Sequence, residues 1–249
     1  MLGKTGIMTE QRQVLGFRVD IAPKKILLQQ AEHQVSIGQV LQVVTLNPEM
    51  ITRANREPDL RQAIQGADLC LPDGAGVVWA LRRQHFNLDR IPGIEFASDL
   101  LATAERQNWR VALIGAKPSI IDQTIIALKL RHPGLHLAFT HHGYFEDAAP
   151  VLENCALAMP HLVLLALGVP RQEVLISQWR ERFAKNPNGC LLVGVGGSFD
   201  VWAGAIARAP EAWQRLNLEW LYRLICQPER WQRLATTLPQ FVFRTLTER

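Results

Sequence analysis

No Cys-x-x-Cys pair occurs in this sequence. Its four cysteines, Cys70, Cys155, Cys190 and Cys226, are far apart, which argues against a zinc site or a thiol redox motif. All four sit in apolar surroundings, as reduced core residues do, and this points to the cytoplasm. Long hydrophobic runs are also missing. The opening stretch MLGKTGIMTEQRQ lacks the apolar centre of a signal peptide. No run approaches the ~20 residues that span a bilayer. The longest candidate, Leu162 to Val169, reads as a buried strand, so any membrane contact is expected to be peripheral. No Asp-x-Asp is present, the carboxylate pattern that often holds a diphosphate through Mg²⁺, so no metal site is expected. There is no Walker A sequence and no G-x-S-x-G. The nearest approach to a dinucleotide fingerprint, Gly194-Val195-Gly196-Gly197-Ser198-Phe199, lacks its third glycine. Net charge is only +4, which makes no case for nucleic acid.

What is present is core. Hydrophobic residues make up 48% and charged residues 20%, the balance of a globular chain. Short apolar runs read as strands at 39–46, 68–71, 110–115, 135–140, 161–167 and 190–195. Helical spacing fills 59–64, 74–83, 95–107, 118–130, 148–158 and 170–183. This alternation predicts an α/β fold: a Rossmann-like, mostly parallel sheet flanked by helices, with a helical C-terminal appendage. In such sheets ligands bind at the carboxyl ends of the strands.

The strand exits therefore carry the functional signal. They read Thr45-Leu46-Asn47-Pro48, Pro72-Asp73-Gly74, Gly115-Ala116-Lys117-Pro118, His141-His142-Gly143-Tyr144, Gly168-Val169-Pro170-Arg171-Gln172-Glu173 and Gly194-Val195-Gly196-Gly197-Ser198. Gly or Ser beside a helix start offers free N–H groups to an anion. The same residues also suit plain β-to-α turns, so it is the set that points to a nucleotide-type pocket. Adjacent His141 and His142 point to opposite faces of a strand, so a structural or rim role is expected for them.

The end of the chain changes character. From Arg208 to Arg249 there are seven arginines, four glutamates and no lysine. Trp213, Leu216, Trp220, Leu221, Leu224 and Ile225 form one amphipathic helical face. Pro228 is placed to start a second helix, with Glu229 in its first turn. Such a segment suits a membrane surface, and equally a terminal helix docked on the core. The expected divisions are an extension over 1–13, a core over 14–207 and the appendage over 208–249. With no metal, the charge of a departing diphosphate would fall to arginines, and Arg90, Arg223, Arg230 and Arg233 are available.

The motifs Thr45-x-Asn47, Pro72-Asp73-Gly74, Arg90-x-x-Gly93, Gly143-Tyr144-Phe145, Gly168-x-Pro170-x-Gln172-Glu173, Gly196-Gly197-x-Phe199-Asp200, Arg208-Ala209-Pro210 and Leu218-Glu219-Trp220-Leu221-Tyr222-Arg223 run in one order. In that order the sequence resembles the WecG/TagA/CpsF glycosyltransferases, over roughly residues 14 to 235. The resemblance implies an inverting, metal-independent enzyme. It would move an N-acetylmannosamine-type sugar from UDP to a polyprenyl-diphosphate-linked acceptor in wall or surface polysaccharide synthesis. No cofactor is implied beyond the UDP-sugar donor. The implied setting is the inner face of the cell membrane, reached through the C-terminal segment by a protein that forms a homo-oligomer.

By resemblance Asp73 is the catalytic base, with Thr45 and Asn47 positioning substrate. Arg90, Gly115, Gly143, Tyr144, Gly168, Gln172, Glu173, Gly196, Gly197 and Asp200 are the implied substrate-binding set, joined by Arg223, Arg230 and Arg233 closing over the diphosphate. Inversion needs only one base, and the dipole of a helix beginning after Gly74 favours ionised Asp73. The sequence departs from the family at Ala116-Lys117, Glu95, Arg171 and Gln227. A non-catalytic nucleotide-sugar-binding protein and a Rossmann-type oxidoreductase are the alternatives.

Overall fold

A computed structural model describes residues 9–215, 219–226 and 231–247. The chain opens with a hairpin of β1 (Glu10–Val14) and β2 (Phe17–Ile21). Leu15 and Gly16 both take positive φ, 51° and 81°, as a two-residue turn matched to strand twist requires. The first of the expected divisions thus runs into a strand, since residues 10–13 belong to β1. The hairpin lies against the edge strand β4 (Leu69–Pro72). There the buried Asp20 carboxylate accepts the Cys70 N–H at 2.7 Å, and Arg18 donates to the carbonyls of Ala67 and Asp68. An edge that could template aggregation is thereby covered.

The main sheet adds β3 (Val40–Leu46), β5 (Arg110–Gly115), β6 (His136–His141), β7 (Leu162–Ala166) and β8 (Cys190–Gly194). Its six strands run in the order β4-β3-β8-β7-β5-β6, and every pairing is parallel. The apolar runs are continuous because both faces are buried. Val111, Leu113, Leu162, Leu164, Leu191 and Val193 join one core cluster. Their neighbours Ala112, Ile114, Val163, Leu165, Cys190 and Leu192 join another on the opposite face. That is the period-2 alternation of a strand, read on two hydrophobic sides.

The first face is covered by α1 (Lys24–Ser36) and α5 (Gly93–Arg106), with α6 (Pro118–Arg131) and α9 (Ser198–Trp202). The other carries α7 (Ala148–Leu157) and α8 (Arg171–Phe183). A third cluster gathers the hairpin with α2 (Pro48–Ala54), α3 (Pro58–Gly66), α4 (Ala75–Arg83) and, from the far end of the chain, Phe241.

The C-terminal segment is α10 (Glu211–Arg215), α11 (Glu219–Cys226) and α12 (Trp231–Thr247). The single helix expected over 213–225 is thus described as two pieces. The expected helix start at Pro228-Glu229 lies outside the described residues. Cys70, Cys155 and Cys190 are buried free thiols, as expected, and burial pushes the Cys70 thiol up to about 12. The side chain of Cys226 lies outside the described residues.

Candidate active site

Because all six strands are parallel, their carboxyl ends share one rim, and backbone hydrogen bonds lace the exits together. Asp73 N–H donates to Leu46 O at 3.1 Å, tying the β4 exit to the β3 exit. Ala116 N–H donates to Ala166 O, Gly143 N–H to Ala116 O, and Val195 N–H to Leu165 O. Gly115 permits this close weave. Its φ is 141°, and a Cβ there would lie 2.4 Å from Ala166 O.

At one end of the rim the chain crowds into a corner. Asn47 caps α2, its Oδ1 accepting the Met50 N–H at 3.0 Å, with Pro48 as the first helical residue. Gly74 packs directly on this cap: a Cβ would meet Pro48 Cδ at 2.4 Å and Asn47 Cα at 3.1 Å. Ile91 N–H donates to Pro72 O at 3.0 Å, which brings the loop after α4 alongside. Gly93 then presses on Thr45, where a Cβ would lie 2.9 Å from Cγ2. Thr45, Asn47, Asp73 and the Arg90–Gly93 loop are therefore brought together. Asp73 is partly buried just ahead of α4, whose N-terminus favours a carboxylate.

The C-terminal helices meet this corner. Phe241 of α12 is fully buried, and a Cβ on Gly76 would lie 3.2 Å from its ring. Thr52 Oγ1 donates to Thr237 O at 3.2 Å. Glu219 of α11 pairs with Arg90 at 2.7 Å. Arg230 lies outside the described residues, as do the side chains of Arg223 and Arg233. Because Phe241 belongs to the core, removing everything after Arg208 would strip cover from α2 and α4.

Along the rest of the rim lies an open cleft of about 620 Å³ over the β5, β6 and β7 exits. Of the expected residues, Gly143, Tyr144 and Asp200 line it. Lys117 and Arg171 line it too, beside Glu146, and neither is among the expected substrate-binding residues. Both are exposed cations at helix starts, where turn chemistry masks their significance. Arg171 donates to the carbonyls of Gly143 and Phe145 and stacks over the Phe145 ring at 4.4 Å.

Gln172 and Glu173 lie beneath the rim. Gln172 Oε1 accepts two N–H groups, from Gly168 at 3.1 Å and from Gly196 at 3.0 Å, and so pins the β7 exit to the β8 exit. Its Nε2 donates to Glu173 Oε1 at 2.7 Å. Gln172 is thus buried and committed to the fold, and it is not among the residues that line the cleft. Burial pushes the Glu173 carboxyl up to about 7, opposed by its bond from Gln172. Gly197 lies beside the Asp200 carboxylate. His141 and His142 bond within their own turn: His141 Nδ1 pairs with His142 O, and His142 Nδ1 accepts the Tyr144 N–H.

One rim of a doubly covered parallel sheet thus carries the Asp73 corner and, further along, a cleft lined by Lys117, Arg171, Glu146 and Asp200, at the strand ends where such sheets bind ligands. The family model described as "Glycosyl transferase WecG/TagA/CpsF family" matches residues 12–249. A Bacillus subtilis (strain 168) protein named N-acetylglucosaminyldiphosphoundecaprenol N-acetyl-beta-D-mannosaminyltransferase is 37% identical over 213 residues, 85% of this chain and 80% of that one. Proteins of the same name from Bacillus spizizenii and Staphylococcus aureus (strain NCTC 8325) are 37% and 34% identical, over 82% and 81% of this chain and 78% of each relative. The chain belongs to the WecG/TagA/CpsF glycosyltransferase family. It is therefore an enzyme of sugar transfer, and the oxidoreductase alternative falls away.

Proposed function

We propose that the chain transfers an N-acetylmannosamine-type sugar from UDP to a polyprenyl-diphosphate-linked N-acetylglucosamine, with inversion and without a metal. The observation that carries this reading is the corner that gathers Thr45, Asn47 and Asp73, in a chain 37% identical to a named transferase of that kind. The acceptor hydroxyl oxygen bonds to the sugar C1 as the C1–O bond to UDP breaks. Asp73 takes the hydroxyl proton, and UDP leaves with the electron pair. Asn47 Oδ1 caps its helix, and its amide nitrogen and the Thr45 hydroxyl orient substrate. Lys117 and Arg171 supply positive charge along the cleft for the diphosphate, and Arg223, Arg230 and Arg233 add theirs from the appendage.

Among the described residues no helix is long and apolar enough to cross a membrane. Contact with a lipid-borne acceptor falls instead to the appendage, which exposes Trp231, Phe243 and Leu246. The test is a panel of UDP-sugars offered with a short-chain polyprenyl-diphosphate-N-acetylglucosamine, with UDP release as the readout. UDP-N-acetylmannosamine should be turned over fastest. Release only with another donor, or equal release without acceptor, would overturn the assignment.

A further inference from the structure

Arg90 combines three observations. Its backbone is fixed on the acidic corner, because the next residue, Ile91, is buried and hydrogen-bonded to Pro72 O, one position before Asp73. Its guanidinium donates to Glu219 Oε2 at 2.7 Å, across 129 positions of sequence. Both side chains are nearly out of water, 10% and 6% exposed. Arg208 and Glu95, which join the start of the appendage to α5 at 2.5 Å, are by contrast about a third exposed. Removing one partner of a charge pair held this far out of water is costly. Glu219 also stands in the first turn of α11, where the helix dipole favours a carboxylate. Arg223 stands one turn further along that helix.

We propose that Arg90 and Glu219 form the latch that seats α11 on the acidic corner, with Glu219 as a positioning residue for sugar transfer. On this view Arg90 works through the appendage rather than by touching the donor. The pair sets where the helix carrying Arg223 lies relative to Asp73. The proposal rests on the transferase reading only for its activity arm, because the seating of α11 can be read without substrate.

The test uses the full chain with Arg90→Glu, Glu219→Arg, the double swap, and the milder Arg90→Lys and Glu219→Gln. Amide hydrogen exchange over 219–226 reports seating, and exchange in β3 and β8 reports that the core is folded. UDP release with acceptor reports transfer. Each single reversal should raise exchange over 219–226 and lower turnover, both by about tenfold or more, while UDP affinity moves by less than about threefold. The double swap should restore both to within about threefold of the parent. If the reversals unfold the core, Arg90→Lys and Glu219→Gln should show the same pattern in smaller degree. Unchanged exchange over 219–226 in folded single variants would overturn the latch. So would a double swap that restores protection yet transfers no more than Arg90→Glu, because Arg90 would then act on substrate directly. If no donor is turned over even by the parent, the transferase reading fails while the exchange data still decide the latch.

Discussion

The two ends of the rim are built differently. The Asp73 corner is made of backbone pressed on backbone: Gly74 on the Asn47–Pro48 cap, Gly93 on Thr45, and α12 closing the side through Phe241. The Lys117–Arg171 cleft is open, and its cations are exposed side chains on helix starts. Chemistry needs groups held within fractions of an ångström, which crowded backbone provides. Recognition of a flexible diphosphate needs charge that can adjust. Substitutions in the corner should therefore lower turnover, and substitutions in the cleft should weaken donor binding.

The largest effect is expected from Gly74→Val, whose side chain has no room beside Pro48 Cδ. It should cost about 3 kcal/mol of stability in denaturant melts, and turnover should fall about a hundredfold or more. Gly93→Ala pushes on Thr45. Turnover should fall about tenfold with little change in donor KM, and a KM effect alone would blur the distinction between the two ends. In the cleft, Arg171→Ala removes charge and also frees the Gly143–Phe145 turn, whereas Lys117→Ala removes charge alone. UDP should bind about tenfold and about fivefold more weakly, respectively, by calorimetry, with kcat nearly unchanged for Lys117→Ala.

The smallest effect on activity is expected beneath the rim, at Glu173. Its folded carboxyl titrates near 7 because burial disfavours the charge, above an unfolded value of about 4.3. The folded state thus holds the extra proton between these values, so this group's contribution falls as pH rises through that window, by on the order of 4 kcal/mol in all. Glu173→Gln keeps an acceptor for Gln172 and removes the titration. Its Tm should match the parent near pH 4 and exceed it at pH 8, and equal Tm differences at both would refute the burial argument.

The sheet was legible because strands buried on two faces leave unbroken apolar runs such as LVLLA and CLLVG. The hairpin was not, because β1 reads EQRQV and buries little besides Val14. α2 was missed as well: it is seven residues long, and Asn47 reads in the sequence as a strand exit and substrate-positioning group, not as a helix cap. The acidic corner showed in the sequence through its punctuation, Asn-Pro and Pro-Asp-Gly at successive exits. The arrangement beneath it did not. Gln172 gains its role only when the β7 and β8 exits place Gly168 and Gly196 on one oxygen, and no local pattern records that. Arg90 and Glu219 meet only in the folded chain, across more than half the sequence.

The central claim is that Asp73 takes the acceptor's proton while the rest of the rim holds the donor. Asp73→Asn preserves shape and removes the base. Calorimetry with UDP and a transfer assay with the polyprenyl-diphosphate acceptor, run on the same preparation, should show UDP affinity within about twofold of the parent and transfer lowered about a thousandfold. Transfer at the parent's rate with UDP affinity intact would contradict the account.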